Sequence, residues 1–105
     1  MRRERQACVY TLSSGKHATL YIGVTSDLVG RLHQHRTDLL QGFTSRYGVK
    51  RLIWFEEHGD MLSAIAREKR LKKWKRDWKV NLIEASNPEW VDLALAFGFD
   101  PVEPR

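Results

Sequence analysis

CVYTLSSGKHATLYIG, residues 8–23, is the stretch that decides the fold. Val, Tyr, Thr and Ile dominate its two ends and turn residues separate them, which is the pattern of a β-hairpin. A two-residue Gly15-Lys16 connection of the Gly-X kind matches the right-handed twist of paired strands. That turn would set Ser14 opposite His17, Tyr10 opposite Tyr21 and Cys8 opposite Gly23. Opposed residues project from one face with Cβ atoms about 5 Å apart, so two phenols would stand side by side. The small pair Cys8 and Gly23 would leave room for a close approach to the backbone. Aromatic cross-strand pairs also stabilise hairpins with no chemistry attached, so the rest of the chain has to separate the two accounts.

Working outward, the order is strand, strand, helix, strand, helices. Strands are expected over residues 7–13, 18–24 and 51–57. Ser26 or Asp27 caps a helix that runs to Leu39, with Gly42 helping to end it. A second helix opens at Asp60, breaks near residues 74–77 and reaches about Ala85. Asn87 is read as the N-cap of a last helix that starts at Pro88 and stops at Gly98. Leu71, Trp74, Trp78 and Leu82, spaced by three and four, read as a core stripe before a base-stacking platform, and Trp54, Phe55, Trp90 and Phe97 as core. Thr44, Arg46, Tyr47 and Lys50 fall in the loop before the third strand, where they could touch a nucleic-acid backbone.

A chain of 105 residues is one domain. It has no long apolar run to span a membrane and no export signal, which points to a cytoplasmic protein. One Cys excludes an internal disulfide, and the four His lack the paired spacing of a zinc site. Charge divides unevenly. Residues 1–79 hold 17 Lys and Arg against 8 Asp and Glu, a net of +9, whereas residues 80–105 carry a net of −4. Arg67, Lys69, Arg70, Lys72, Lys73, Lys75, Arg76 and Lys79 crowd one predicted helix. A solvated helix face is the plain account, but eight neighbouring cations repel one another, and phosphates are the natural counter-charge.

On the first helix, Leu28, Leu32 and Leu39 form an apolar stripe at 100° per residue, with His35 inside it and Arg31 at its margin. Their i, i+4 spacing sends both side chains to the same patch of sheet, where a guanidinium can hold a phosphate and an imidazole can hydrogen-bond a phenol. Glu68 lies on the Met61 and Ile65 side of its helix, directed along the packed edge; its ordinary role there is an ion pair with Lys72.

Taken together, Val9-Tyr10, Tyr21-Ile22-Gly23, the Arg31 to His35 helix, FTSRYGVKRLIWFE at 43–56, AIAREKRLKKWKRDWK at 64–79 and NPEWVDL at 87–93 resemble the GIY-YIG nucleases, in particular their small single-domain bacterial members. The family's first Gly is here Cys8 and its Ile is Val9. The resemblance implies an α+β fold with a small three-stranded antiparallel sheet flanked by helices. It also implies a nuclease domain over residues 1–98 and a loose tail over 99–105. It makes Tyr10, Tyr21, Arg31, His35, Glu68 and Asn87 the expected catalytic residues, with Glu68 the sole protein ligand of a divalent metal. Magnesium suits one carboxylate, since it keeps several waters for substrate oxygens to replace, and manganese can substitute. Gly23, Arg46, Lys69, Lys72 and Lys73 are the expected substrate contacts. The activity so implied is metal-dependent endonucleolytic hydrolysis of DNA in repair or recombination, with either weak selectivity or a protein partner that supplies specificity. The same scaffold as a non-catalytic nucleic-acid-binding module, or a small protein-interaction domain, are the competing classes.

Overall fold

The hairpin forms, with a longer connection than the Gly-X turn requires. In the computed structural model, which describes residues 5–37, 39 and 42–102, β1 spans Cys8–Ser13 and β2 spans Leu20–Thr25. Six residues join them. The Ser14 N–H donates to the Thr19 carbonyl at 3.1 Å, and the Ser14 hydroxyl accepts from the Thr19 N–H at 3.2 Å. The register is displaced by two from the expected one: Tyr10 pairs with Gly23, Leu12 with Tyr21 and Cys8 with Thr25. A shift of two preserves the face, so Tyr10 and Tyr21 remain neighbours, now diagonally, with ring centroids 6.3 Å apart. The reason lies outside the hairpin. His17 adopts φ 55° with its ring 4.9 Å from that of Trp90 and its Nε2 3.4 Å from Glu84, which folds the turn onto the C-terminal helices.

β3, Arg51–Glu57, pairs antiparallel with β1 and completes a sheet of order β2-β1-β3. A bulge at Ile53 puts Ile53 and Trp54 on one side while Leu52 and Phe55 take the other. Helices cover both sides. α1, Leu28–Arg36, and α2, Phe43–Tyr47, lie with Tyr10, Leu12 and Leu52; α3, Met61–Lys73, and α4, Arg76–Ser86, lie with Val9, Ile22 and Ile53. The fold is therefore α+β, as expected. Asp27 caps α1 by accepting the Gly30 N–H, and Asp60 caps α3 by accepting that of Ser63. The break in the basic stretch falls at Trp74-Lys75.

Several expectations need correction. α1 stops at Arg36, and Leu39 is exposed. Arg36 is instead drawn inward, donating to the Lys50 carbonyl, Asp92 and the Asp100 carbonyl with its guanidinium over Phe99. Gly42 precedes α2 instead of ending α1, and the loop read before β3 contains that five-residue helix, too short to leave a periodic signal. Asn87 is the C-cap of α4, not an N-cap. Its Nδ2 donates to Ile53 and Val91 carbonyls, and its Oδ1 accepts the Val91 N–H. The last helix is a 3₁₀ turn over Leu93–Phe97, capped by Asp92 and closed by Gly98. Trp78 and Phe97 are exposed, so neither is core.

Gly23 is fixed by packing. A Cβ there would meet the Tyr10 ring at 2.5 Å, whereas one at Gly59 meets nothing within 4 Å. Gly23→Ala should cost about 1–3 kcal/mol and Gly59→Ala stay within about 0.5 kcal/mol of wild type, as read by urea unfolding. Asn87→Ala strips three hydrogen bonds, one buried and two partly buried, and should cost about 2–3 kcal/mol in the same assay.

Candidate active site

Tyr10 is held from three sides. β1 is the central strand, so its ring is enclosed and 1% exposed. Gly23 on β2 offers the flat surface the ring lies on, and this fills the space expected to admit a ligand. The phenol then reaches α1, where its oxygen is 2.9 Å from His35 Nε2. His35 Nδ1 lies 3.0 Å from the hydroxyl of Thr44 on α2, so a Tyr10–His35–Thr44 chain ties sheet to helices. Tyr21 is half-buried beside it, its ring 5.5 Å from that of His35. Arg31, one turn before His35, acts electrostatically on both Tyr10 and His35. Three of the expected residues thus meet, Tyr10, Tyr21 and His35, with Arg31 within electrostatic reach of the Tyr10–His35 pair.

The electrostatics of the cluster follow from its burial. Burial and the neighbouring Tyr21 push the Tyr10 phenol well above its ordinary value, while Arg31 opposes them. Burial and then Arg31 lower His35 from an ordinary 6.5 to about 4. At neutral pH the pair is a neutral phenol against a neutral imidazole. Cys8, in the name-giving position, is buried with its thiol pushed up to about 11, chiefly by burial, and stays protonated.

Glu68 stands on α3, in the layer across the sheet from α1, and α3 packs chiefly on the edge strand β2. Its side chain is 14% exposed, with the carboxylate 3.5 Å from Lys72 Nζ. Lys72 and Lys79 line a groove along β2 together with Tyr21 and Phe43, so groups from both layers meet at this free edge. Among the described residues no three His, Cys, Asp or Glu side chains gather as a chelating set. A single carboxylate of low exposure whose partner is an exposed lysine fits a cation that takes most of its ligands from water and substrate. Asn87 sits with Ile53 at the end of α4, its amide engaged in the bonds above. Lys69 and Lys73 are exposed on α3 and Arg46 on α2, whereas Arg67 turns inward to Glu56 at 3.1 Å.

Thr44 carries a role that sequence reasoning misplaced. Expected to face a nucleic-acid backbone, it is buried and orients His35. A lone hydroxyl nine residues after the histidine leaves no signal in a pattern of spacings.

Because the folded His35 resists protonation to about pH 4 while the unfolded imidazole takes its proton near 6.5, its contribution is intact above 6.5 and is lost as pH falls towards 4. The loss should be on the order of 3 kcal/mol. Urea unfolding between pH 7.5 and 4.5 should show a steeper loss for wild type than for His35→Gln; equal slopes contradict this electrostatic account.

A family model described as GIY-YIG catalytic domain matches residues 6–81. Neither the curated proteins nor the solved structures searched contain a match to the chain. The matched span takes in both tyrosines, Gly23, Arg31, His35 and Glu68, and ends before Asn87. The family is one of endonucleases, generally dependent on divalent metal, and a nuclease domain implies a nucleic-acid substrate. With the match covering most of its length and a three-stranded antiparallel sheet flanked by helices, this chain belongs to the GIY-YIG catalytic domain family.

Proposed function

We propose that this protein is a metal-dependent endonuclease that hydrolyses DNA phosphodiester bonds, in repair or recombination. The observation that carries the reading is the buried Tyr10–His35 pair at 2.9 Å with Arg31 acting on both partners. Arg31 binds the scissile phosphate and stabilises the charge added in the transition state. Tyr21, the more open of the two phenols, orients the attacking water. The water's proton passes to the Tyr10 oxygen as the phenol's own proton passes to His35 Nε2, which divides the task between two groups too weakly basic to do it alone. A phosphate on Arg31 offsets the guanidinium charge that helps hold His35 neutral, so substrate binding raises the imidazole's proton affinity when it is needed. Glu68 would hold the divalent cation, Mg²⁺ or Mn²⁺; when bound, such a cation polarises phosphate oxygens as a Lewis acid. Lys69, Lys72, Lys73 and Arg46 bind flanking phosphates. Asn87 acts through the fold, supporting β3 from the end of α4.

A second reading, a binding module that does not hydrolyse DNA, is favoured by the Glu68–Lys72 contact, which neutralises the lone carboxylate among exposed cations. Cleavage of branched and plasmid DNA distinguishes them. With Mg²⁺ the wild type should cleave, EDTA should abolish it, and Arg31→Ala and Glu68→Gln should each lose about 100- to 1,000-fold in kcat with unchanged thermal melting. Trace nicking shared equally by wild type and both variants would mark a contaminant and favour the binding module.

A further inference from the structure

α2 divides its five residues between two tasks. Thr44 is buried against His35, whereas Phe43, Arg46 and Tyr47 face outward. Phe43 and Tyr47 are 47% and 49% exposed; Trp78 and Phe97 are exposed elsewhere, but of these four only Phe43 and Tyr47 adjoin the phenol and imidazole cluster through Tyr21. With the half-buried Tyr21 the two exposed rings form a contact series. Tyr21 and Phe43 lie 27° from parallel with centroids 6.4 Å apart, Phe43 meets Tyr47 at 4.9 Å, and the Arg46 guanidinium sits 5.7 Å over the Tyr47 ring. The series begins at Tyr21, which belongs to the phenol and imidazole cluster, and leads away from it. Lys72 and Lys79 form the facing bank of the groove that Tyr21 and Phe43 line.

Exposed aromatic rings beside cations suit an unpaired nucleobase, which stacks on a ring while its backbone phosphates meet ammonium and guanidinium groups. In a duplex the base faces are covered by their neighbours and only edges are presented in the grooves. A paired strand therefore gains charge contacts from this groove and nothing from its rings. Because His35 and α2 are tied through Thr44, the series also holds a fixed position relative to the catalytic cluster.

We infer that Phe43 and Tyr47 are a stacking platform for unpaired bases flanking the phosphate on Arg31, which makes single-stranded and flap DNA the preferred substrate class. The inference rests on the nuclease reading for the position of the cleaved phosphate, and not for the stacking itself.

The test uses 2-aminopurine placed in one oligodeoxynucleotide, presented single-stranded and in a blunt duplex, with EDTA present so that binding is read without cleavage. Wild type should bind the single strand more tightly and quench its fluorescence. Phe43→Leu and Tyr47→Leu keep apolar bulk without a ring face; with unchanged thermal melting, each should weaken single-strand binding by about 5-fold or more and leave duplex binding unaltered. Tighter duplex binding by wild type, or variants that lose nothing or lose equally on both forms, would overturn the platform. Cleavage of the same two substrates with Mg²⁺ is scored separately. Absence of cleavage there overturns the nuclease reading, while quenching still decides the platform.

Discussion

The contact on which the site depends is the Tyr10 ring lying flat on Gly23. It needs a strand residue without a Cβ directly opposite a tyrosine, and the β1–β2 register supplies it. With the ring so placed, its phenol is delivered to His35 and through it to Thr44, and three elements distant in sequence become one hydrogen-bonded unit. Removing the phenol from water is what makes it unusual: burial raises its proton affinity and lowers that of the imidazole, so neither group carries a charge until something alters the field around Arg31.

Topology sets the buried pair beside a less enclosed strand. β1 is central and shields Tyr10, while β2 is an edge strand whose Leu20 and Tyr21 are half-buried. Along that edge the two helical layers approach each other, α2 bringing Phe43, α3 Lys72 and α4 Lys79. Glu68 belongs to α3, on the lysine side of the sheet, and Arg31 to α1, on the other. Among the described residues, the acidic C-terminal segment takes no part in that groove. Its Asp92 instead receives Arg36 and the Leu52 N–H, fastening α1 to β3.

The sheet, the caps at Asp27 and Asp60 and the break in the basic helix were legible because each leaves a local mark: alternation, a capping side chain, a lapse in periodicity. So was the meeting of His35 with the tyrosines, since helix spacing and strand alternation survive a two-residue change of register. What escaped depends on contacts between distant segments. The hairpin turn is set by His17 against Trp90 and Glu84. Asn87 before a proline carries the mark of an N-cap, yet ends a helix because its side chain finds the Ile53 carbonyl. Thr44 became structural only once α2 folded over His35, and the glycine role expected of an open approach at Gly23 was taken by the chain's own tyrosine.

The central claim is that a phosphodiester on Arg31 is sensed by the Tyr10–His35 pair. It is tested most directly by ¹⁵N NMR of the His35 ring during titration with a non-hydrolysable phosphorothioate oligonucleotide at neutral pH. A neutral imidazole in the free protein, with saturable shifts of both ring nitrogens and of the Arg31 side chain on binding, is the predicted result. Shifts confined to the lysines of α3 and α4, with His35 and Arg31 unmoved at saturation, would contradict it.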